Sequence, residues 1–416
     1  MRHSEFIEAN NVDPPQEPPL HDRVRKSGGE KESVSIPKYM NKRLAIIWTN
    51  LGPYHMARID ALKPYFEVQA IELASGQRKY QWWRGESDAS VYTLTSGDAE
   101  DQNQFLVAFK LWRKLSLLRP RIVLVPGYSS LPALCAAVWS RTHRAKAILM
   151  SESNYEDHRR SPLVEAVKRV LVTLLFDGGV VGGKRAASYL QRLGLPSDCI
   201  AQGYDVVDNE YFLSRATRCR LEANDLGNVS QTPYFLFVGR LAPEKNISTL
   251  LEAFRQYLNF GGTWSLVIVG DGPLNKALTD QASAESQSRT VIFTGRKSVH
   301  ELPPLYALAG CFILPSLCEP WGLVVNEAMA SGLPVIVSSS SGCVDDLVED
   351  GSNGFIIDAN SASTIALAML RMSQLSSEKR TKMGERSKEI IADYSPERWS
   401  GEVRRIVNAV EKGKRG

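Results

Sequence analysis

The chain is 416 residues long, with 43% hydrophobic and 23% charged residues and a formal net charge of +4. That length holds two domains with sizeable cores, and the composition is that of a globular protein rather than a disordered or fibrous one. No apolar run approaches the ~20 residues of a membrane span, and six scattered cysteines without Cys-x-x-Cys spacing fit a reducing cytosol better than a disulfide framework.

Residues 1–41 are polar, with Pro14-Pro15 and Pro18-Pro19, and predict a disordered tail. The start, Met1-Arg2-His3-Ser4-Glu5, lacks a secretory hydrophobic core, so a cytoplasmic location is expected. An N-terminal domain is expected over 42–205. Leu44–Trp48 reads as its first strand, Thr49–His55 as the following loop, and a helix runs to about Lys63. Further strands are expected at Val68–Leu73, Val91–Leu94, Ile122–Val125, Ala147–Met150 and Ile200–Ala201. Helices are expected at Gln104–Leu118, Pro132–Arg141 and Leu163–Leu175. This alternation predicts a doubly wound parallel sheet. In such sheets ligands collect beyond the strand carboxyl ends, which puts Gly52 and His55 at a crevice. For His55 a plain hydrogen-bonded place at the helix start is an equal alternative.

Gly178-Gly179-Val180-Val181-Gly182-Gly183-Lys184 imitates the start of a phosphate-binding P-loop. Arg185 stands where a Ser or Thr should hold magnesium, and Val180-Val181 reads better as a short strand. No Asp-x-Asp and no His/Cys cluster of ligand spacing occurs, so no metal and no cofactor are expected.

Residues 206–230 lack strong periodicity and read as a linker. A second alternating series fills 231–395, and a last helix is expected over 396–416. Within that series an apolar run ends at Pro315, a loop carries Glu319, and a helix starts near Gly322 and stops at Gly332-Leu333-Pro334. Glu327 interrupts this otherwise apolar helix. Eight helical residues rise ~12 Å, too far for the ~5 Å carboxylate pair of a retaining hydrolase. The two glutamates are better spaced to grip two ends of an extended ligand. Between them the amides of Gly322, Leu323 and Val324 at the helix start favour a phosphate. A phosphate flanked by hydroxyl-bearing groups describes a nucleotide sugar.

Glu-(seven residues)-Glu followed by Ala328-Met329-Ala330-x-Gly332-x-Pro334-Val335 resembles the retaining glycosyltransferases of family four. Gly239-Arg240-Leu241 with Lys245, Val267-Ile268-Val269-Gly270-Asp271-Gly272 and Val291–Arg296 match that family in the same order. The match is strong over 234–358 and weak in the N-terminal half. It implies an α/β GT-B fold, two doubly wound Rossmann-like domains facing each other across a cleft. It further implies a metal-independent transfer of a hexosyl group, with retention, from a nucleotide-diphosphate sugar to an acceptor hydroxyl. Arg240 and Lys245 would hold the diphosphate and stabilise its departure. Glu327 would take the ribose hydroxyls, Glu319 the sugar or its leaving phosphate, and Arg296 the base. Many members carry a histidine after the strand that corresponds to Ile122–Val125, where this chain reads Pro126-Gly127-Tyr128-Ser129-Ser130. His55 is expected to take over that catalytic role, with Tyr128, Ser129 and His158 as substitutes.

Residues 42–205 carry 22 Lys and Arg against 15 Asp and Glu, and residues 206–395 carry 16 against 21. The basic N-terminal half suggests an anionic partner, either a peripheral membrane contact at the inner face or an anionic acceptor. Lys110–Leu115 and Lys168–Val172 mix basic and bulky apolar residues and could lie on a membrane. No nucleic-acid partner is expected, and the acceptor stays open among sugars, lipid-linked groups and small molecules. Two other readings fit the same architecture: a sugar-nucleotide epimerase or phosphorylase, and a non-catalytic binding module.

Overall fold

The computed structural model describes residues 42–78, 91–157, 160–225, 233–284 and 290–413. The expected tail, 1–41, and His158 lie outside these residues. The first half builds a sheet from β1 (Arg43–Trp48), β2 (Glu67–Glu72), β3 (Val91–Thr93), β4 (Ile122–Pro126), β5 (Lys146–Ser151), β6 (Gly178–Val181) and β7 (Ile200–Ala201). The second uses β8 (Tyr234–Val238), β9 (Ser265–Val269), β10 (Val291–Gly295), β11 (Cys311–Leu314), β12 (Val335–Ser338) and β13 (Gly354–Ile357).

The spatial orders are β3-β2-β1-β4-β5-β6-β7 and β10-β9-β8-β11-β12-β13. The pairings are parallel throughout, for example Ile46 with Ala70 and Ile46 with Leu124. Parallel strands are covered on both faces, which is why β8 and β11 are apolar and buried at every position. In each sheet the strand order reverses once, between β1 and β4 and between β8 and β11. A crevice opens at that reversal, beyond the carboxyl ends.

Alternate residues of the first sheet feed two cores. Ala45, Ile47, Val123 and Leu149 pack under helices Gln104–Leu118, Leu131–Thr142 and Pro162–Leu175. Leu44, Ile46, Leu124 and Met150 face helix Pro53–Leu62 and the last helix, Pro396–Lys412. That last helix buries Trp399, Val403, Ile406, Val407 and Val410, a helical stripe, against the first half. Ser395 caps it by accepting a hydrogen bond from the Arg398 amide.

The segment read as a linker is different in the structure. Residues Asn209–Asp225 form a helix, and Phe212 is buried in the core of the second half. Its polar residues hide the periodicity, but Arg220 fixes it by donating to the carbonyls of Ala307 (2.9 Å) and Ser331 (2.7 Å). The described residues belong to one compact unit, and the carboxyl-end loops of the two sheets meet inside it.

Candidate active site

From β8 the chain leaves through Gly239-Arg240-Leu241-Ala242 and a single tight turn, Pro243–Lys245. Asn246, in the left-handed conformation at φ 59°, then opens helix Ile247–Asn259. Its buried amide donates to the carbonyls of Pro315 (3.2 Å) and Ala359 (2.7 Å), and Leu317 N–H bonds the Glu244 carbonyl at 2.9 Å. The loops after β8 and β11 are thereby stapled together at the strand-order reversal. The staple sets Lys245 Nζ against Glu319 Oε2 in an ion pair whose two side chains are only 16% and 13% exposed. Arg240, on the same loop, is exposed, and its side chain makes no ion pair or hydrogen bond among the described residues.

Gly270 supports this loop from β9. Its φ is +138°, and a Cβ there would stand 1.9 Å from the Gly239 carbonyl oxygen. Only a glycine lets the two backbones touch. Beyond Glu319, Gly322 takes φ +107° and turns the chain into helix Leu323–Ala330. The amides of Leu323 and Val324 make no hydrogen bond among the described residues, whereas Val325 N–H already bonds the Gly322 carbonyl at 2.8 Å. These free amides, the Lys245–Glu319 pair and Arg240 share one edge of the second sheet. Arg296, exposed just after β10, stands two strands away, roughly 10 Å along the same edge.

Glu327 is enclosed at 2% exposure. Its Oε1 accepts a hydrogen bond from the Tyr54 hydroxyl at 2.6 Å, and its Oε2 one from the Tyr306 hydroxyl at 2.8 Å. Burial pushes its pKa up from 4.5 to about 7, although both phenols pull the other way. Tyr54 belongs to the first half, so this bond spans the molecule.

His55 stands at the first turn of helix Pro53–Leu62, where its Nδ1 accepts from the Gly52 amide at 2.9 Å. The half-buried ring packs edge-on against Trp48, with centroids 4.8 Å apart. Enclosure, and then the Arg58 charge, push its pKa down to about 3, so the imidazole is neutral. The hydrogen-bonded helix-start alternative describes this arrangement. It also engages the Gly52 amide inside the chain, which sets Gly52 apart from the free amides beyond Gly322. Tyr128 is hydrogen-bonded to Tyr189, and burial holds its phenol above the usual range.

Sequence reasoning missed a group of acids here. Asp205, just past β7, is 1% exposed, with Oδ1 3.9 Å from Arg58 Nη2. Burial first, and the hydrogen-bonded neighbour Glu152 second, hold its carboxyl well above the usual range. The Glu319 charge adds to the same shift, so the acids of both halves are within electrostatic reach. Glu152 stands immediately past β5, and its place after a strand end was the available signal. The Asp205 carbonyl accepts from Asn326 Nδ2 (2.9 Å), and Asn326 Oδ1 accepts from Trp321 Nε1 (2.9 Å).

The imitation P-loop serves as a clasp between the halves. The Lys184 amide bonds Asp346 Oδ2 at 3.1 Å, and Arg185 grips Asp345 through Nε (2.7 Å) and Nη2 (3.0 Å). A cavity of about 570 Å³, lined in part by Gly203, Glu349, Arg386 and Trp399, contains none of the predicted residues. Arg386 and Glu349 neutralise each other there through two hydrogen bonds.

Residues 220–390 match the family described as "Glycosyl transferases group 1". The alpha-D-kanosaminyltransferase of Streptomyces kanamyceticus is 30% identical over 153 residues, which cover 37% of this chain and 39% of that protein. A GDP-mannose-dependent alpha-mannosyltransferase of Mycobacterium tuberculosis is 38% identical over 125 residues, 30% of each chain. The aligned stretches thus span well under half of these relatives. The crystal structure of Anabaena HepE in complex with UDP superposes with a TM-score of 0.68 at 18% identity, covering 88% of this chain and all of that one. The fold is therefore the GT-B fold, and the resemblance drawn from the Gly239–Pro334 motifs holds at family level for the matched residues.

Proposed function

We propose that this chain is a nucleotide-sugar-dependent glycosyltransferase that moves a hexosyl group to an acceptor hydroxyl, with retention and without a metal. The observation that carries the reading is the grouping of Lys245, Glu319, Arg240 and the free Leu323 and Val324 amides at one strand-order reversal. Departure of a nucleoside diphosphate builds negative charge as the glycosidic bond breaks. Fixed donors at that point stabilise the transition state more than the ground state. Arg240 and Lys245 take the diphosphate, the helix amides its oxygens, Glu319 the sugar, and Arg296 the base. Glu327 takes the ribose once the Tyr54 hydroxyl exchanges for it, so donor entry and a parting of the halves go together. Parting and closing in turn exclude water from the activated sugar.

No helix among the described residues is long and apolar enough to cross a membrane. A cytoplasmic location with peripheral contact through the basic first half belongs to the same proposal.

The first test is thermal stabilisation by a panel of nucleotide sugars, beginning with GDP-mannose and UDP-glucose, the donors in the names of a relative and of a fold neighbour's complex. Arg240→Ala should leave the parent melting temperature unchanged and lower donor-dependent release of nucleoside diphosphate by at least about a hundred-fold. Unchanged turnover in that variant removes the diphosphate role. An inverted product anomer or a rate abolished by chelator removes retention or metal independence respectively.

A further inference from the structure

Helix Pro162–Leu175 carries Glu165, Lys168 and Arg169 on one side and is apolar over the rest, and an apolar helix face is ordinarily buried. Here only Val172 is buried, while Leu163, Val167, Val170 and Leu174 are each more than half exposed. Helix Gln104–Leu118 repeats the pattern: Phe105, Phe109, Arg113 and Leu117, spaced by four, form a solvent-facing stripe opposite buried Val107, Leu111 and Leu115. Both helices, with Leu131–Thr142 between them, pack on the same face of the first sheet. Eleven of the seventeen exposed large hydrophobic side chains among the described residues lie on these three helices. A patch this concentrated marks an interaction surface rather than ordinary scatter.

Its charge selects the partner. From Gln104 to Ser151 the sequence carries eight Lys and Arg and not one Asp or Glu. Arg113 reaches over the Phe109 ring, 5.8 Å from its centroid, and Arg169 is exposed on the second helix. Apolar side chains interleaved with cations match a bilayer interface, where the rings enter the acyl boundary and the cations meet anionic headgroups. A second copy fits worse. A two-fold interface sets a patch against a copy of itself, and the one acid on these three helices, Glu165, is already paired with Lys168, which leaves Arg113 and Arg169 no acidic partner there. A cavity of about 240 Å³, lined in part by Thr49, Ala74, Gln102, Gln104 and Ser130, opens where helix Gln104–Leu118 begins. The face therefore adjoins the carboxyl-end crevice of the first sheet.

We infer that helices Gln104–Leu118 and Pro162–Leu175 form a docking face for an anionic membrane surface. This gives the peripheral contact proposed above a defined place and lipid chemistry. The test is co-sedimentation of the full chain with phosphatidylcholine vesicles with and without phosphatidylglycerol, alongside light scattering of the protein alone. The chain should bind the anionic vesicles and be released by salt. Arg113→Gln with Arg169→Gln should weaken binding about twenty-five-fold, since each surface cation contributes about five-fold. Phe109→Ser with Val167→Ser should weaken it about ten-fold or more through lost apolar insertion, at an unchanged melting temperature because both side chains are exposed. Parent-like binding by both double variants overturns the docking face but leaves peripheral contact standing. A dimer that dissociates in the Phe109 and Val167 variant, without vesicle binding, assigns the face to a second copy and also overturns it. Sugar transfer to a soluble acceptor by a chain that binds no vesicle overturns the docking face alone and keeps the glycosyltransferase reading.

Discussion

Glu327 shows what a single side chain does when its helix carries it inside. Burial raises its pKa from 4.5 to about 7, and the Tyr54 and Tyr306 hydroxyls satisfy its oxygens. Because the folded value is the higher one, the native state holds a proton that the unfolded chain has lost between about pH 4.5 and 7. Stability contributed by this group is full below the lower value and disappears as pH rises through the upper one. Urea midpoints measured across that range should fall with rising pH more steeply in the parent than in Glu327→Gln, which has no proton to lose. Parallel slopes would mean that Glu327 titrates at its ordinary value. The presence of an acid in an apolar helix was legible in the sequence, and so was its pairing with Glu319 on one loop and helix. Its partner Tyr54 was not, being 273 positions away and meeting it only after both halves have folded. His55 is the complementary case. Its local hydrogen bond to Gly52, three residues back, was within reach of the sequence as one of two readings.

Among elements, the strands and the loops that follow them were the most legible parts, because parallel strands covered on both faces must be apolar throughout. The sequence also showed that the loops after β8 and β11 carry the charged groups. It could not show the contact between backbones that positions them. Gly270 is that contact. A side chain there meets the Gly239 carbonyl at 1.9 Å and must also hold φ +138°, so Gly270→Ala should both strain β9 and push Arg240 from its place. The expected result is a loss of roughly 1–3 kcal/mol in unfolding free energy and a larger proportional loss of donor binding, measured by denaturant titration and by thermal shift with donor. An alanine variant with parent stability and parent donor affinity would show that the two loops can part at no cost. Helix Asn209–Asp225 stayed hidden for a different reason. Its anchors are one buried ring, Phe212, and the reach of Arg220 to two carbonyls, and neither makes an apolar stripe.

Across the whole molecule, the bridges that hold the halves together where their loops meet include Tyr54 to Glu327, Asn326 to the Asp205 carbonyl, and Arg185 to Asp345. They differ in kind. The first two are buried and directional, and breaking either leaves a polar group without water. The third is a bidentate ion pair near the surface, with Asp345 46% and Arg185 21% exposed, so solvent limits it to about 1 kcal/mol or less. A clasp of that strength can open readily, whereas the Tyr54–Glu327 bond must be exchanged for a ligand if the proposed donor is to reach Glu327. Reversing the clasp tests whether it governs closure. Asp345→Arg sets a cation against Arg185 and Lys184, so the halves should part and the radius of gyration from small-angle X-ray scattering should rise. Adding Arg185→Asp re-forms the pair in the opposite sense and should bring the radius back. The rise should shrink at high salt, because exposed charges are screened beyond about 8 Å at physiological ionic strength and sooner above it. An unchanged radius in the single variant, or no recovery in the double one, would show that the Arg185–Asp345 pair does not govern closure.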